Sequence, residues 1–117
     1  MEQIYPDLNQ QISEMADGDK EFEKELTLAI HKGLLELREV YAQGSVEKNE
    51  LKLQQIRHKL KPTLLMFELF HITEELQVGK EIIESQGFDV PAFAKHYQSL
   101  QHKLEVAIKR VYELVEA

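Results

Sequence analysis

Apolar residues recur at intervals of three and four positions through nearly the whole chain, and this spacing is the strongest constraint on its fold. It places apolar side chains along one face of an α-helix. The 117 residues include only five glycines and three prolines, so few positions can interrupt a helix. Strand-like alternation is nowhere sustained in the sequence. The pattern therefore predicts an all-α protein.

Capping and helix-breaking residues divide the pattern into five predicted helices. Pro6 suits the first turn of a short first helix, which ends at Asp17 and Gly18. Asp19 is the predicted N-cap of the second helix. Gly87 is predicted to end the fourth helix, and Asp89 and Pro91 are predicted to open the fifth. The predicted bounds of the second, third and fourth helices are about 20–43, 46–71 and 73–86.

Three other residues set the inner boundaries of these predictions. Gly44 is the predicted end of the second helix, and Ser45 is the predicted cap of the third. Thr73, followed by two glutamates, is the predicted N-cap of the fourth helix. Met15 and Phe22 are among the predicted core residues of the first two helices.

Four long amphipathic helices with short connections favour an antiparallel four-helix bundle, with the short first helix across one end. The sequence has no internal repeat, low-complexity stretch or flexible linker. We therefore expect residues 1–117 to form one domain.

Charge and composition narrow the function classes. The net charge of −7 argues against nucleic acid or an anionic membrane as a partner. The chain has no cysteine, no basic and apolar leader at its N-terminus, and no apolar run of the roughly 20 residues that span a bilayer. These features predict a cytoplasmic protein without a membrane partner.

The third predicted helix carries an unexpected outer face. Successive residues advance by about 100°, so a core stripe containing Ile56 and Leu60 leaves His58 almost opposite. Ordinary outer faces are charged, but the residues near His58 on this face are apolar: Leu51, Pro62, Leu65 and Leu69. Leu28 and Leu35 lie off the core stripe of the second helix in a similar way. Apolar ridges that a bundle does not need are candidates for a partner surface.

The sequence around His58 resembles the histidine-containing phosphotransfer (HPt) family. His58, Leu60 and Lys61 match the family's His-x-Leu-Lys pattern, and the segment 18–22 is similar to the family's entry into its first long helix. The chain length and helix order agree with the family. It resembles a divergent member, because Pro62 follows the lysine where the family has small residues, and Glu68 replaces a frequent glycine ten residues after the histidine.

The resemblance implies a phosphorelay carrier rather than a conventional enzyme. His58 would accept a phosphoryl group from a receiver-domain aspartyl phosphate and pass it on, with Lys61 stabilising the phosphate. The partner, a response-regulator receiver or a hybrid histidine kinase, would supply the aspartate and magnesium, so no cofactor or metal is expected in this chain. The predicted docking residues are Leu51, Pro62, Leu65, Leu69, Leu28 and Leu35, and a monomer is expected.

Histidine chemistry agrees with this expectation. Much of a histidine side-chain population is neutral near pH 7, so one ring nitrogen can attack a phosphoryl group while the other keeps its proton. Lys61 follows His58 by three residues, which places the two on adjacent helical turns. Arg57 and Lys59 are expected to point elsewhere around the helix.

Other interpretations remain open at this point. A tilted third helix, loosened at Pro62, could bury both of its faces, or the ridge could dock a protein without phosphoryl transfer. Glu68 and His71 form one Glu-x-x-His element, but a di-iron bundle site needs two. Lys80 could face His58 as a second charge, and the last predicted helix has two histidines, His96 and His102, which are expected in solvent.

Overall fold

The computed structural model describes residue 5 and residues 7–116, and the regular structure in this part of the chain is entirely helical. Five helices follow in order, α1 (Leu8–Ala16), α2 (Lys20–Glu47), α3 (Glu50–Met66), α4 (Phe70–Gln86) and α5 (Pro91–Glu116). The predicted all-α class and the number of helices are confirmed. Pro6, which was predicted in the first helical turn, lies outside the described residues.

Several helix ends follow directly from the local sequence. Asp19 caps α2 as predicted, because its Oδ1 accepts hydrogen bonds from the backbone N–H groups of Glu21 and Phe22 at 3.0 and 3.1 Å. Gly87 ends α4 with a φ of +86°, a conformation that glycine adopts without strain. Pro91 is the first residue of α5.

The predicted end of α2 at Gly44 is wrong. The helix continues to Glu47, and Ser45 lies inside it. A Cβ at position 44 would lie 2.6 Å from Leu53 Cδ2, so this buried glycine allows α3 to approach α2 closely. The residue that caps α3 is Asn49, whose Oδ1 accepts from the backbone N–H of the third residue after it at 3.1 Å.

The predicted boundary between α3 and α4 is also wrong. Helix α3 continues through Pro62 but ends at Met66, and Glu68 then adopts a positive φ of 56°. The chain turns at this left-handed residue, so α4 begins at Phe70 rather than after Thr73. Thr73 lies within the first turn of α4 instead of capping it.

Helix packing produces one connected cluster of buried side chains. α2 packs against α3 and α5, α4 packs against the same two helices, and α1 packs against α2. Met15 and Phe22 were predicted in the core but are 44% and 41% exposed.

None of the helices in the described part of the chain is both long and apolar enough to cross a membrane.

Candidate functional site

His58 lies on the outer side of α3, near the middle of the helix. The core-facing residues of α3 are buried, namely Leu53, Ile56, Leu60 and Leu64. The side chain of His58 is exposed. The helical periodicity therefore places this histidine as predicted, and α3 does not bury both of its faces.

A groove of about 210 Å³ runs between α3 and α4 beside His58. The residues that line it are Gln54, Arg57, His58, Lys61, Leu64, Thr73, Leu76, Gln77 and Lys80. Lys80, for which a position facing His58 was one of the open alternatives, lines the same groove as the histidine from a different helix. Leu64 and Leu76 contribute buried apolar surface.

The groove concentrates positive charge in an acidic protein. Three cationic side chains line it, Arg57, Lys61 and Lys80, and none of its lining residues is a carboxylate. The whole chain has a net charge of −7. Lys59 points away, as predicted, and pairs with Glu36 at 2.8 Å. An anion in this groove would be attracted by these three positive charges.

Arg57 was expected to point elsewhere, and the structure corrects this. Its side chain is half-buried and lines the groove. On a helix, Arg57 and Lys61 are separated by four residues and share a face with Gln54 and Leu64. A helical wheel of α3 gives only the angle of each residue from the core stripe of that helix. The helical wheel does not show where α4 lies, and the position of α4 is what makes this face of α3 one wall of a groove.

Part of the predicted docking ridge is present on the surface. Leu51 is 60% exposed, Leu65 is 44% exposed and Pro62 is exposed, all on the outer side of α3. Leu28 on α2 is 45% exposed. The three exposed apolar residues of α3 lie along the helix face that also carries the exposed His58.

Two predicted docking residues lie elsewhere. Leu69 is fully buried, because α3 ends at Met66 and the chain turns Leu69 into the core before α4 begins. The helical wheel that predicts its exposure runs past the true end of the helix. Leu35 is half-buried and packs against the core, so it presents little surface to a partner.

Sequence reasoning missed a polar network in the core. The His96 ring, expected in solvent, is buried between Glu75 and Tyr41. Its Nδ1 lies 2.8 Å from Glu75 Oε2, and its Nε2 lies 2.7 Å from the Tyr41 hydroxyl. Glu75 Oε1 also accepts hydrogen bonds from Ser99 and Lys103 at 2.5 and 2.9 Å. The network joins α2, α4 and α5.

The position of His96 could have been inferred from spacing. It follows the buried Phe93 by three residues and precedes the buried Leu100 by four, which is the spacing of one helix face. The prediction of solvent exposure placed His96 off the core stripe of the last helix, and the burial of His96 shows that this assignment was wrong. Gly79 supports the same arrangement, because a Cβ there would overlap the His96 ring and lie 2.7 Å from the Tyr41 hydroxyl.

The network changes the titration of Glu75. Burial alone would raise the pKa of its carboxyl group, but hydrogen bonds from Ser99, Lys103 and His96, with the charge of Lys103, outweigh burial and lower this pKa to about 2. Burial raises the pKa of the Tyr41 hydroxyl well above its usual range. At neutral pH the core therefore holds a carboxylate and a protonated phenol.

The remaining histidines lie apart from the groove. His71 and His102 are exposed, and His31 is half-buried with its ring centre 5.9 Å from that of Tyr112. Within residues 5 and 7–116, no three histidine, aspartate or glutamate side chains are grouped so that they could hold a metal ion. Glu68 and His71 thus have no further ligands near them in this part of the chain.

Comparison with known proteins gives no family assignment. No protein-family model, no curated protein and no solved structure matches the chain.

Proposed function

We propose that this protein is a phosphorelay carrier in which His58 receives and donates a phosphoryl group. The observation that carries the proposal is the setting of His58, an exposed histidine beside a groove with three cations and no carboxylate. Such a setting leaves the imidazole open to attack a phosphoryl group and provides charge that stabilises the product.

The proposed reaction uses a receiver-domain aspartyl phosphate as donor. The unprotonated ring nitrogen of His58 forms a bond to phosphorus while the bond from phosphorus to the aspartyl oxygen breaks. The electron pair of the broken bond remains on the aspartate, which leaves as a carboxylate, and the second ring nitrogen of His58 keeps its proton. Lys61 neutralises part of the phosphoryl charge from the next helical turn. The reverse step passes the group to another receiver.

Residue 68 adds support for the resemblance to the HPt family. The family often has glycine ten residues after its histidine, and Glu68 stands there in this chain. Its φ of 56° lies in the left-handed region that glycine occupies at least cost. The chain thus has the backbone shape that such a glycine would favour, although the residue differs.

The bundle that we propose is antiparallel and is formed by α2, α3, α4 and α5. Each of these helices packs against its neighbours in a closed cycle, from α2 to α3, α4, α5 and back to α2. The connections between them are short, which suits helices of alternating direction. In this arrangement α1 lies against α2, and the groove beside His58 stays open to a partner.

We propose that the partner docks on the exposed ridge of Leu51, Pro62 and Leu65, with Leu28 at its edge. A receiver domain of a response regulator or a hybrid histidine kinase would cover this ridge and bring its aspartate to His58. Magnesium would be bound by that partner. For this role we propose a cytoplasmic location and a monomeric state.

A transfer assay tests the proposal. Purified receiver domains, phosphorylated on aspartate with labelled phosphate, would be mixed with the wild-type protein and with a His58→Gln variant. We expect label to move to the wild-type protein, to survive alkali and to be lost in acid, as a phosphohistidine is. The variant should remain unlabelled.

Two controls make the assay decisive. Far-ultraviolet circular dichroism should show the same helix content in both proteins, because His58 is exposed. Receiver binding, measured by calorimetry, separates the proposal from its alternative. Binding without transfer to the wild-type protein would favour an interaction module that docks through the same ridge and carries no phosphoryl group.

A further inference from the structure

One cation in the groove has an incomplete set of hydrogen bonds. The Nη1 atom of Arg57 is buried, yet it has no hydrogen-bond partner among the described residues. A buried donor without a partner is unfavourable, and a buried guanidinium nitrogen more so, because it has lost its water. Lys59, the nearby cation on the same helix, is in contrast paired with Glu36.

The groove beside His58 is lined by three cations. Arg57 lines it together with Lys61 on α3 and Lys80 on α4. No carboxylate lines the groove, so none of these cations is neutralised there by the protein itself. The buried side chains of Leu64 and Leu76 contribute apolar surface to the same groove.

We propose that Arg57 is a phosphate ligand, and that Arg57, Lys61 and Lys80 form a site that binds phosphate non-covalently beside His58. A guanidinium presents parallel N–H donors that match two phosphate oxygens, whereas the lysines act as mobile charges. The chemical class of the ligand is a tetrahedral oxyanion with two negative charges, either free phosphate or the phosphoryl group once it is attached to His58.

This inference deepens the proposed function, and only its biological role rests on that function. In a phosphorelay carrier, Arg57 and Lys80 would hold the phosphoryl group of phosphohistidine in the groove. Phosphate binding itself requires neither a receiver domain nor covalent chemistry. The two claims can therefore fail separately.

The test is a titration of the whole protein with inorganic phosphate. Binding would be followed by calorimetry and by backbone amide shifts in nuclear magnetic resonance spectra, with chloride replacing phosphate at constant ionic strength. We expect saturable binding whose largest shifts lie in the groove-lining parts of α3 and α4. Arg57→Gln should weaken this binding about tenfold or more, because hydrogen bonds to charged groups are strong.

Matched variants separate a site from a general charge effect. Lys59→Gln removes the same charge from the same helix outside the groove, and it should leave phosphate affinity within about twofold because surface charges are screened. Arg57→Lys should bind phosphate more tightly than Arg57→Gln but more weakly than the wild-type protein. Lysine keeps the positive charge but lacks the parallel N–H donors of the guanidinium. Lys80→Gln removes the groove cation that α4 contributes, and it leaves the half-buried side chain of Arg57 on α3 unchanged.

Two results would overturn the proposal. One is that phosphate shows no saturable binding beyond that of chloride. The other is that Arg57→Gln and Lys59→Gln weaken binding equally. The His58→Gln variant should still bind phosphate. If it does, and if the wild-type protein is never labelled by a receiver, then the carrier function fails while the phosphate site stands.

Discussion

Glu75 on α4 and His96 on α5 are joined in the core by a 2.8 Å contact between a carboxylate oxygen and a ring nitrogen. The opposite ring nitrogen contacts the Tyr41 hydroxyl of α2 at 2.7 Å. Three helices are thereby linked by polar groups inside an apolar core. Because buried polar groups are costly unless they are fully paired, this network specifies how α5 is seated against α4 and α2.

Glu75→Gln should destabilise the protein in a pH-dependent way. The lowering of the pKa of Glu75 from 4.5 to about 2 corresponds to about 3 kcal/mol of stability. A carboxyl group whose pKa is lowered by folding contributes this stability above its unfolded pKa and loses it as the pH falls toward the folded value. Urea unfolding should therefore show a difference of about 3 kcal/mol between wild type and variant at pH 7.

That difference should narrow as the pH falls from 4.5 toward about 2. Glu74→Gln is the matched control, since Glu74 is the exposed neighbour on the same helix. Its effect should remain within about 0.5 kcal/mol at each pH. A pH-independent effect of Glu75→Gln would show that the charge of this carboxylate does not stabilise the fold.

Gly79→Ala should destabilise the protein by about 2 kcal/mol, because the added Cβ would overlap the His96 ring. Alanine favours helix by only about 1 kcal/mol, which does not offset the overlap. Gly33→Ala is the comparison, since its Cβ would meet the flexible end of Leu60 at 2.9 Å. Thermal and urea unfolding should rank position 79 as the costlier site, and the reverse order would contradict the packing described.

Local sequence predicted the parts of the fold that depend on local interactions. Asp19 and Gly87 were placed correctly, because a side-chain cap and a glycine with positive φ at a helix end are decided within a few residues. The helix boundaries at Gly44 and Thr73 were not. The continuation of α2 depends on distant packing, and the start of α4 follows the left-handed conformation of Glu68. In α2, the deciding contact is the close approach of Leu53 from the next helix.

In the candidate site, too, the features that depend on one helix could be predicted, and those that depend on a second helix could not. The exposure of His58 follows from the periodicity of α3 alone, and so it could be predicted. The groove requires the position of α4, so the place of Arg57 in its wall could not be read from one helix. Leu69 was misplaced for a related reason, because the end of α3 is set by a left-handed residue that nothing in the apolar spacing indicates.

Leu65→Ala and Leu69→Ala should have opposite consequences. Leu69 is fully buried, so its truncation should cost about 3 kcal/mol of stability. Leu65 is 44% exposed, so its truncation should change stability by less than about 0.5 kcal/mol. If Leu65 belongs to the docking ridge, Leu65→Ala should also weaken receiver binding about tenfold, measured by calorimetry. Unchanged receiver affinity would remove Leu65 from the docking surface.

Lys61→Ala should slow phosphoryl transfer to His58 about tenfold, which corresponds to about 1.4 kcal/mol of transition-state stabilisation. Lys61 is exposed, so helix content should be unchanged. Lys59→Ala is the matched control, because Lys59 pairs with Glu36 outside the groove. Quenched-flow measurements of labelled protein against time give both rates, and equal slowing by the two variants would contradict a local role for Lys61.

The central claim is that His58 carries the phosphoryl group, and the most direct measurement is the location of that group after transfer. The protein would be labelled by a phosphorylated receiver, digested at alkaline pH and sequenced by tandem mass spectrometry. Two other exposed histidines, His71 and His102, serve as internal controls, with His71→Gln and His102→Gln variants beside His58→Gln. We predict phosphate on residue 58 alone and loss of labelling only in His58→Gln. Phosphate on another histidine, or full labelling of His58→Gln, would contradict the account.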